Sequence, residues 1–253
     1  MRSNSSVVIH PKRKRVSVCL TPSMIDLFRV EETIAVVIDV FRATSSICVA
    51  FDHGVEKIVP VESVEDCLKY REQGYLVAGE RNGEMVEGFD FGNSPFSYMD
   101  EKLIRGRSIA MTTTNGTQAI HAVSSAKKVV VGSFANITVL SEWLGGQNEN
   151  ILLLCSGWKN RINLEDSIFA GALVKRLRHW YDLHEDTALI AETLYKSANF
   201  RKRYFMRNSS HYQRLLHLNL QKDVKYCLRK DTHPVIPVFE HGYLRNILKD
   251  QQS

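Results

Sequence analysis

Short, continuously apolar segments recur along this chain, and they constrain its fold more than any other feature. A run of this kind, five or six residues long, is typical of a strand that is covered on both faces. Helix signals separate several of the runs, so the sequence predicts an α/β fold with three layers, α/β/α, and a largely parallel or mixed sheet. The runs are VSVCL (16–20), IAVVID (34–39), KIVPV (57–61), YLVAGE (75–80), SIAMT (108–112), KVVVG (128–132) and ILLLCS (151–156).

The predicted helices are marked by residues that favour helix ends. Ser63 and Asn163 are N-cap candidates, and Gly74 is a stop signal. From about 186 to 231 the pattern becomes helical and polar, which predicts a helical C-terminal part. We expect one α/β domain over residues 1–253, with a subdivision near 180–185 into an α/β core and a helical C-terminal part as the alternative.

Two further segments lie outside this regular alternation. Residues 81–100 contain three glycines and a proline without periodicity, so they predict a long loop of the functional or disordered kind. The segment VIPVF (235–239) predicts an edge strand, because Pro237 has no N–H for a central ladder.

The composition excludes several classes of protein. No window holds the ~18 consecutive apolar residues of a membrane span, and the first residues lack the apolar core of a secretory signal, so we expect a cytoplasmic protein. Five scattered cysteines without a CxxC pair predict reduced thiols. The net charge of +5 is mild, and the basic segments 12–15 and 199–207 predict solvated surface, not a nucleic-acid partner. Whether the chain forms a homo-oligomer stays open.

Chemically active side chains follow several of the predicted strands. In open parallel α/β sheets, ligands bind beyond the carboxyl ends of the strands, so the sequence predicts that these residues share a site. They are Asp39 and Arg42 at the end of the second run, Glu80 and Arg81 at the end of the fourth, the threonine turn 112–117 at the end of the fifth, and Arg161, Glu165 and Asp166 after the last.

The threonine turn, TTTNGT, has two interpretations. Asn115 and Gly116 permit a tight turn, and the following helix start offers free N–H groups, so Thr113, Thr114 and Thr117 could surround an anion. Threonine is equally common in a strand followed by a helix cap. The turn lacks the Lys-Ser/Thr ending of a Walker loop, so a nucleotide phosphate loop of that type is excluded.

The acids predict a sparse Mg²⁺ site. Magnesium favours one or two carboxylates together with substrate oxygens and water, and Asp39, Glu80 and Asp166, with Glu165 beside them, could supply it. Acids in the first turn of a helix also stabilise the helix dipole without any function, which is the alternative for Glu165 and Asp166. The nine histidines show no HxH or HExxH pattern, and His53 is interpreted as structural or solvated.

Cys155 and Arg161 stand at the Cys-x5-Arg spacing of cysteine-dependent phosphatases. No His precedes the cysteine and no Ser or Thr follows the arginine. A cysteine ending an apolar strand is usually a small buried hydrophobe, so Arg161 as an anion ligand is the better supported half of this motif.

Taken in order, several blocks resemble the 2-phosphosulfolactate phosphatase family, Mg²⁺-dependent enzymes of coenzyme M biosynthesis. The resemblance implies an α/β fold, Mg²⁺ dependence and hydrolysis of a phosphate ester of a small sulfonated hydroxyacid. By position, the residues that match the family pattern are Asp39, Arg42, Glu80, Arg81, Asp90, Asn93, Ser94, Asn115, Gly116, Glu165 and Asp166. The blocks are IDVFRATSSI, AGERNGEMVEGFDFGNSP, TTTNGTQAI, VGSFAN, CSGWKNRINLEDSIFAGAL and the ending VIPVFEHG.

The leading hypothesis is a Mg²⁺-dependent phosphatase that converts (2R)-phospho-3-sulfolactate to (2R)-3-sulfolactate and phosphate. Asp39, Glu80 and Asp166 would hold Mg²⁺, and Arg42 with the threonine turn would bind phosphoryl oxygens. Arg81 and Arg161 would neutralise the carboxylate and sulfonate. The nucleophile, whether water at the metal, Asp39 or Cys155, stays open. The alternatives are a cysteine-dependent phosphatase and a non-catalytic phosphate- or nucleotide-binding module.

Overall fold

The computed structural model describes residues 14–183, 185–198 and 201–249. In this part of the chain the strands are β1 (Val16–Cys19), β2 (Thr33–Ile38), β3 (Lys57–Pro60), β4 (Leu76–Arg81), β5 (Glu84–Met85), β6 (Ser108–Thr112), β7 (Lys128–Gly132), β8 (Asn150–Cys155), β9 (Pro237–Glu240) and β10 (Tyr243–Asn246). The α-helices are α1 (Ala43–Asp52), α2 (Val64–Glu72), α3 (Glu101–Ile104), α4 (Gly116–Ala122), α5 (Ile137–Gly145), α6 (Leu164–Leu177), α7 (Asp186–Ala198), α8 (Lys202–Met206), α9 (Ser210–His217) and α10 (Gln221–Cys227).

All ten strands join one mixed sheet in the order β1-β8-β2-β7-β9-β10-β3-β6-β4-β5. The block β1-β8-β2-β7 is parallel, and so is the block β3-β6-β4. The three pairings between them, β7 with β9, β9 with β10 and β10 with β3, are antiparallel. Each antiparallel pairing reverses the direction, so the two parallel blocks run in opposite directions. The expected α/β architecture with a mixed sheet and a helical C-terminal part is confirmed.

The prediction of an edge strand at 235–239 is wrong. β9 lies in the middle of the sheet, with β7 on one side and β10 on the other. Pro237 is the first residue of the strand, where a proline is tolerated. It faces Asn246 of β10, whereas β7 pairs only with Val238 and Phe239. The missing N–H therefore falls where the ladder to β7 has not yet begun.

Both faces of the sheet are covered, which explains why its strands are continuously apolar. Alternate residues of β2 belong to opposite cores: Ile34, Val36 and Ile38 pack against α5, α6 and the C-terminal helices, whereas Ala35 and Val37 pack against α1 and α4. This alternation follows from the period of two along a strand. The three-layer arrangement predicted from the apolar runs is therefore present.

The predicted helix caps are confirmed. The side chains of Ser63 and Asn163 each accept a hydrogen bond from the backbone N–H three residues later, which satisfies a donor that the first helical turn leaves unpaired. Gly74 follows α2 with a φ of +85°. The segment 81–100 holds the two-residue strand β5 and the 3₁₀ helix Pro95–Tyr98, and is otherwise irregular.

Helices α6 and α7 approach each other closely at Gly171. A Cβ atom built on this residue would lie 1.8 Å from the backbone oxygen of Ala191. Every other amino acid carries that atom, so only glycine permits this contact between the backbones of the two helices.

The described residues include no helix that is both long and apolar enough to cross a membrane. All five cysteines are free and buried, in agreement with the predicted reduced thiols. Of the two basic segments, residues 12, 13, 199 and 200 lie outside the described residues, while Arg201, Arg203 and Arg207 are exposed.

Candidate active site

The segments that follow β2 and β6 meet although their strands run in opposite directions. Helix α4 contacts both β2 and α1. A Cβ atom on Gly116, the first residue of α4, would lie 2.6 Å from the Cβ of Ala43 and 3.0 Å from Oδ2 of Asp39. The close approach requires glycine here, and it places the Asp39 carboxylate beside the threonine turn.

Asp39 lies between β2 and α1 and is buried. Its backbone oxygen accepts hydrogen bonds from the N–H and the hydroxyl of Thr44, at 3.0 and 2.8 Å, so the residue is fixed by the first turn of α1. Burial raises the pKa of Asp39 to about 6; the nearby His211 lowers it, and the carboxylates of Glu80 and Glu165 raise it further. A carboxyl group with this environment, at the end of a strand, is typical of a functional site.

Glu80 connects β4 to the threonine turn. Its Oε1 accepts a hydrogen bond from the Thr114 N–H at 2.6 Å, and its Oε2 accepts one from the Gly83 N–H at 2.7 Å. Glu80 is buried and contributes to the raised pKa of Asp39. The structure thus brings Asp39, Glu80 and the threonine turn together, as the sequence predicted.

The threonine turn forms the helix cap of its second interpretation. Thr113 and Thr117 form an internal cap, in which Oγ1 of Thr113 accepts from the Thr117 N–H and the Thr117 hydroxyl donates to the Thr113 carbonyl. Oγ1 of Thr114 is buried and has no hydrogen-bond partner among the described residues. Asn115 makes no side-chain cap bond. The hydroxyl of Thr114 and the amide of Asn115 are therefore the groups of this turn that a ligand could engage.

Asp166 joins the ends of β2 and β8. Its Oδ1 accepts from the Val40 N–H at 2.8 Å, and its Oδ2 accepts from the Ser156 hydroxyl and the Gly157 N–H at 3.2 and 3.3 Å. Burial raises the pKa of Asp166 well above its ordinary value, and the charges of Glu165 and Asp39 raise it further. These bonds give Asp166 a structural role at the centre of the site.

Glu165 is fully buried and pairs with a histidine that the sequence analysis did not single out. Its Oε1 is hydrogen-bonded to Nδ1 of His211, in α9. Nε2 of His211 lies 3.2 Å from Nη2 of Arg214. Because arginine has only donors, Nε2 is the acceptor, and the Nδ1 proton is directed at Glu165. Oε2 of Glu165 is buried without a partner among the described residues.

Trp158 and Arg214 lie beside His211. The ring of Trp158 stacks on His211 with an interplanar angle of 2°, and the guanidinium of Arg214 lies 4.9 Å from the centroid of the Trp158 ring. Nη1 of Arg214 donates to the Asn82 carbonyl at 2.8 Å, while its Nε is buried without a partner in the described chain. Burial lowers the pKa of Arg214. The only signal in the sequence was the i, i+3 spacing of His211 and Arg214 on one helix face.

The three predicted arginines are placed differently. Arg42 is buried; its Nη1 pairs with Oδ2 of Asp223 at 2.7 Å and its Nη2 donates to the Gly83 carbonyl at 2.6 Å. Arg81 is half-buried and donates to the Glu80 carbonyl and the Thr112 hydroxyl. Arg161 is exposed, in a turn closed by backbone bonds to Trp158. Arg42 and Arg81 are thus oriented by protein groups, and only Arg161 extends into solvent.

We expect Asp223→Asn to lower the free energy of unfolding by about 3 kcal/mol, because it leaves the buried guanidinium of Arg42 without its counter-charge. Both side chains of this pair are nearly inaccessible, at 4% and 7%. Urea denaturation would measure the change.

Asp66→Asn is the matched control, since the Asp66–Lys69 pair is largely exposed, at 51% and 69%. It should leave stability unchanged. Equal urea midpoints for the two variants would contradict a stabilising role for the Arg42–Asp223 pair.

Asn93 and Ser94 lie in the loop after β5. Asn93 is buried, its carbonyl accepts from the Ser46 hydroxyl at 2.9 Å, and its Oδ1 has no partner among the described residues. Ser94 precedes the 3₁₀ helix without a side-chain cap bond. Asp90 instead accepts from the Val77 N–H at 2.8 Å, which anchors the loop to the sheet.

The environment of Cys155 disagrees with a cysteine-dependent mechanism. The thiol is fully buried at the end of β8, and burial together with the charge of Asp166 raises its pKa well above the ordinary value. A nucleophilic cysteine needs a lowered pKa and access to substrate. Cys155 therefore behaves as a small core residue.

A separate group of metal-ligand types lies at the far end of α1. One ligand atom from each of Asp52, His53 and His233 falls within 4.8 Å of the other two, a geometry that could hold a metal ion. The acids around Asp39 do not form such a compact triplet in the described part of the chain. A Mg²⁺ ion there would take one or two carboxylates and complete its shell with water and substrate.

Comparison with known proteins decides the family. A family model described as 2-phosphosulpholactate phosphatase matches residues 19–242. The chain belongs to the 2-phosphosulfolactate phosphatase family. It is 42% identical over 221 residues to a probable 2-phosphosulfolactate phosphatase from Thermotoga petrophila, 87% of this chain and 94% of the relative. The protein of the same name from Thermotoga maritima is 40% identical over the same shares.

More distant members of the 2-phosphosulfolactate phosphatase family match over a similar length. The probable 2-phosphosulfolactate phosphatase from Caldanaerobacter subterraneus is 33% identical over 220 residues, 85% of this chain and 91% of the relative. The match to the family model begins within β1 and ends after β9. Apart from residues 16–18 of β1, it therefore includes both parallel blocks, and it includes every residue of the candidate site.

Proposed function

We propose that this protein is a Mg²⁺-dependent phosphatase that hydrolyses 2-phosphosulfolactate to sulfolactate and phosphate. The observation that carries the proposal is the group of four buried carboxylates, Asp39, Glu80, Glu165 and Asp166, in a member of this family. Burying several carboxylates near one another lowers the stability of the folded state, so such a group indicates a bound cation or a catalytic role.

The residues fit a divalent cation. Burial and mutual repulsion raise the pKa of both Asp39 and Asp166, and Oε2 of Glu165 has no partner in the described chain. A bound Mg²⁺ would neutralise this charge and polarise a phosphoryl oxygen. Asp39 is the leading candidate ligand for Mg²⁺, because its Oδ2 faces the threonine turn. Glu80, Glu165 and Asp166 would supply the remaining negative charge.

The substrate's own charges have donors available around these acids. The Thr114 hydroxyl and the residues Asn115 and Gly116 border Asp39 and would bind phosphoryl oxygens. Arg42 and Arg81 would contribute positive charge from fixed orientations, since protein groups already hold their guanidinium groups. Arg161 is exposed and would bind the carboxylate or sulfonate, and Asn93 and Ser94 would form the opposite wall.

His211 would act as the proton carrier of the site. The buried Glu165 fixes its Nδ1 proton, and Trp158 fixes the plane of its ring, so Nε2 is the nitrogen available to a reacting group when Arg214 moves or binds substrate. A carboxylate that orients a histidine in this way sets both its tautomer and its direction.

Phosphate release from 2-phosphosulfolactate tests the proposal. Purified protein should release phosphate, the release should stop when a chelator is added, and it should return with excess Mg²⁺. 2-Phospholactate, which lacks the sulfonate, is the matched substrate control, and we expect it to be turned over more slowly.

Two outcomes would favour other functions. Activity that survives the chelator and disappears in Cys155→Ala would indicate the cysteine-dependent mechanism. A rise in melting temperature with 2-phosphosulfolactate, without phosphate release at any Mg²⁺ concentration, would indicate a binding module.

A further inference from the structure

The group Asp52, His53 and His233 lies away from the candidate active site. Asp52 is the last residue of α1, His53 is its C-cap, and His233 precedes β9. Helix α1 begins beside Asp39 and has ten residues, so its two ends are about 15 Å apart. The acids that would hold Mg²⁺ in the proposed function therefore take no part in this group.

Each of the two imidazoles has one nitrogen engaged by an oxygen from outside the group. Nδ1 of His53 lies 2.9 Å from the Val49 carbonyl, and Nε2 of His233 lies 2.7 Å from the hydroxyl of Tyr226. A histidine that binds a metal almost always holds an oxygen with its second nitrogen in this way. Nε2 of His53 and Nδ1 of His233 are left as ligand atoms.

The third ligand is already beside one of these nitrogens. Oδ2 of Asp52 lies 2.7 Å from Nδ1 of His233. Atoms that bind one Zn²⁺ ion at ~2 Å are themselves roughly 3–3.5 Å apart, so this pair needs little adjustment. An ion pair would explain why Asp52 and His233 lie side by side. It would not explain why the ring centroid of His53 lies 5.7 Å from that of His233.

The surroundings favour a cation and hold the ligands in place. The C-terminus of α1 is the negative end of the helix dipole, which attracts positive charge. The backbone N–H of His233 donates to the Ala135 carbonyl at 3.0 Å, and the buried His233 ring is fixed by Tyr226. Asp52 is exposed and His53 half-buried, so an ion and its water ligands can enter from solvent.

We propose that Asp52, His53 and His233 bind a divalent transition metal of the zinc class, with water in the remaining positions. Two imidazole nitrogens and one carboxylate oxygen are the donors that Zn²⁺, Co²⁺ and Ni²⁺ prefer, whereas Mg²⁺ prefers oxygen alone. The ion would connect the end of α1 to the segment before β9, and so fasten the helix whose other end carries Asp39.

Calorimetric titration of ZnCl₂ into chelator-treated, full-length protein tests this site, with millimolar MgCl₂ present throughout to fill sites that prefer hard cations. We expect one tight site per chain in the unaltered protein. His53→Gln and Tyr226→Phe should each raise the Zn²⁺ dissociation constant at least about 10-fold. His179→Gln, which changes an exposed histidine elsewhere, should leave it unchanged.

His53 is the informative position, because it is partly exposed and its replacement should not unfold the chain. Undiminished Zn²⁺ binding in His53→Gln would overturn the proposal. So would loss of the tight site in His211→Gln with retention in His53→Gln, since the ion would then belong to the phosphatase site. Mg²⁺-dependent phosphate release is measured separately, so failure of either proposal leaves the other standing.

Discussion

Asp39→Asn should lower the rate of phosphate release from 2-phosphosulfolactate at least about 10²–10³-fold, the effect of removing a preorganised charged group from a reaction centre. The protein should nevertheless stay folded. Burial and the neighbouring acids raise the pKa of Asp39 to about 6, so above that pH its ionised form destabilises the folded state relative to the unfolded one. An amide removes this cost, and the melting temperature should be equal or higher.

Glu84→Gln is the matched control for this variant. Glu84 lies in β5, close in the chain to Glu80, but its side chain is exposed, so activity and melting temperature should both be unchanged. Full activity in Asp39→Asn would exclude this carboxylate as a metal ligand and as a nucleophile. A large fall in melting temperature would instead show that Asp39 is a structural acid.

Gly171→Ala should destabilise the protein by at least about 3 kcal/mol, at the upper end of the range for added atoms in a packed interior. Its Cβ would lie 1.8 Å from the Ala191 carbonyl oxygen, which is backbone and cannot move aside as a side chain could. Helices α6 and α7 would have to separate. The midpoint of urea denaturation measures the effect.

Gly146→Ala provides the comparison, because it adds the same methyl group in an open position. The nearest atom to its Cβ is the Trp143 carbonyl oxygen at 3.5 Å, and its φ of −81° suits any residue. We expect no loss of stability. Similar midpoints for both variants would mean that α6 and α7 can shift apart at little cost.

The fold could be predicted from local signals where those signals are physical requirements. The continuous apolar runs identify strands because β2 and β8 are covered on both faces. Ser63 and Asn163 identify helix starts because they accept the N–H of the third residue after them. The direction of the strands could not be predicted in this way, since it depends on pairings between distant segments.

Pro237 shows how a local rule can mislead. The absence of its N–H predicts an edge position, yet the register with β7 begins only at Val238. Whether a proline is tolerated here thus depends on where the pairing with β7 begins, to within one residue. The sequence of β9 alone does not determine that register.

The candidate site was predicted in part. Asp39, Glu80 and the threonine turn could be singled out because each lies at or just after the C-terminal end of a strand. The roles of the arginines could not, because Asp223 and Gly83, which hold Arg42, lie in other segments. His211 and Asp52, His53 and His233 were missed for the same reason: His211 is 46 positions from Glu165, and His233 is 181 positions from Asp52.

The hairpin β9–β10 has a consequence for how the chain reaches its folded state. Residues 237–246 fill the space between β7 and β3, so both of those strands present unpaired edges until residues 237–246 have been synthesised. The pairing of Ile58 with Leu244 joins residues that are far apart in the sequence, and contacts of this kind form slowly. Open strand edges are templates for association with other chains. The nascent protein is therefore most exposed to aggregation just before its last two strands enter the sheet.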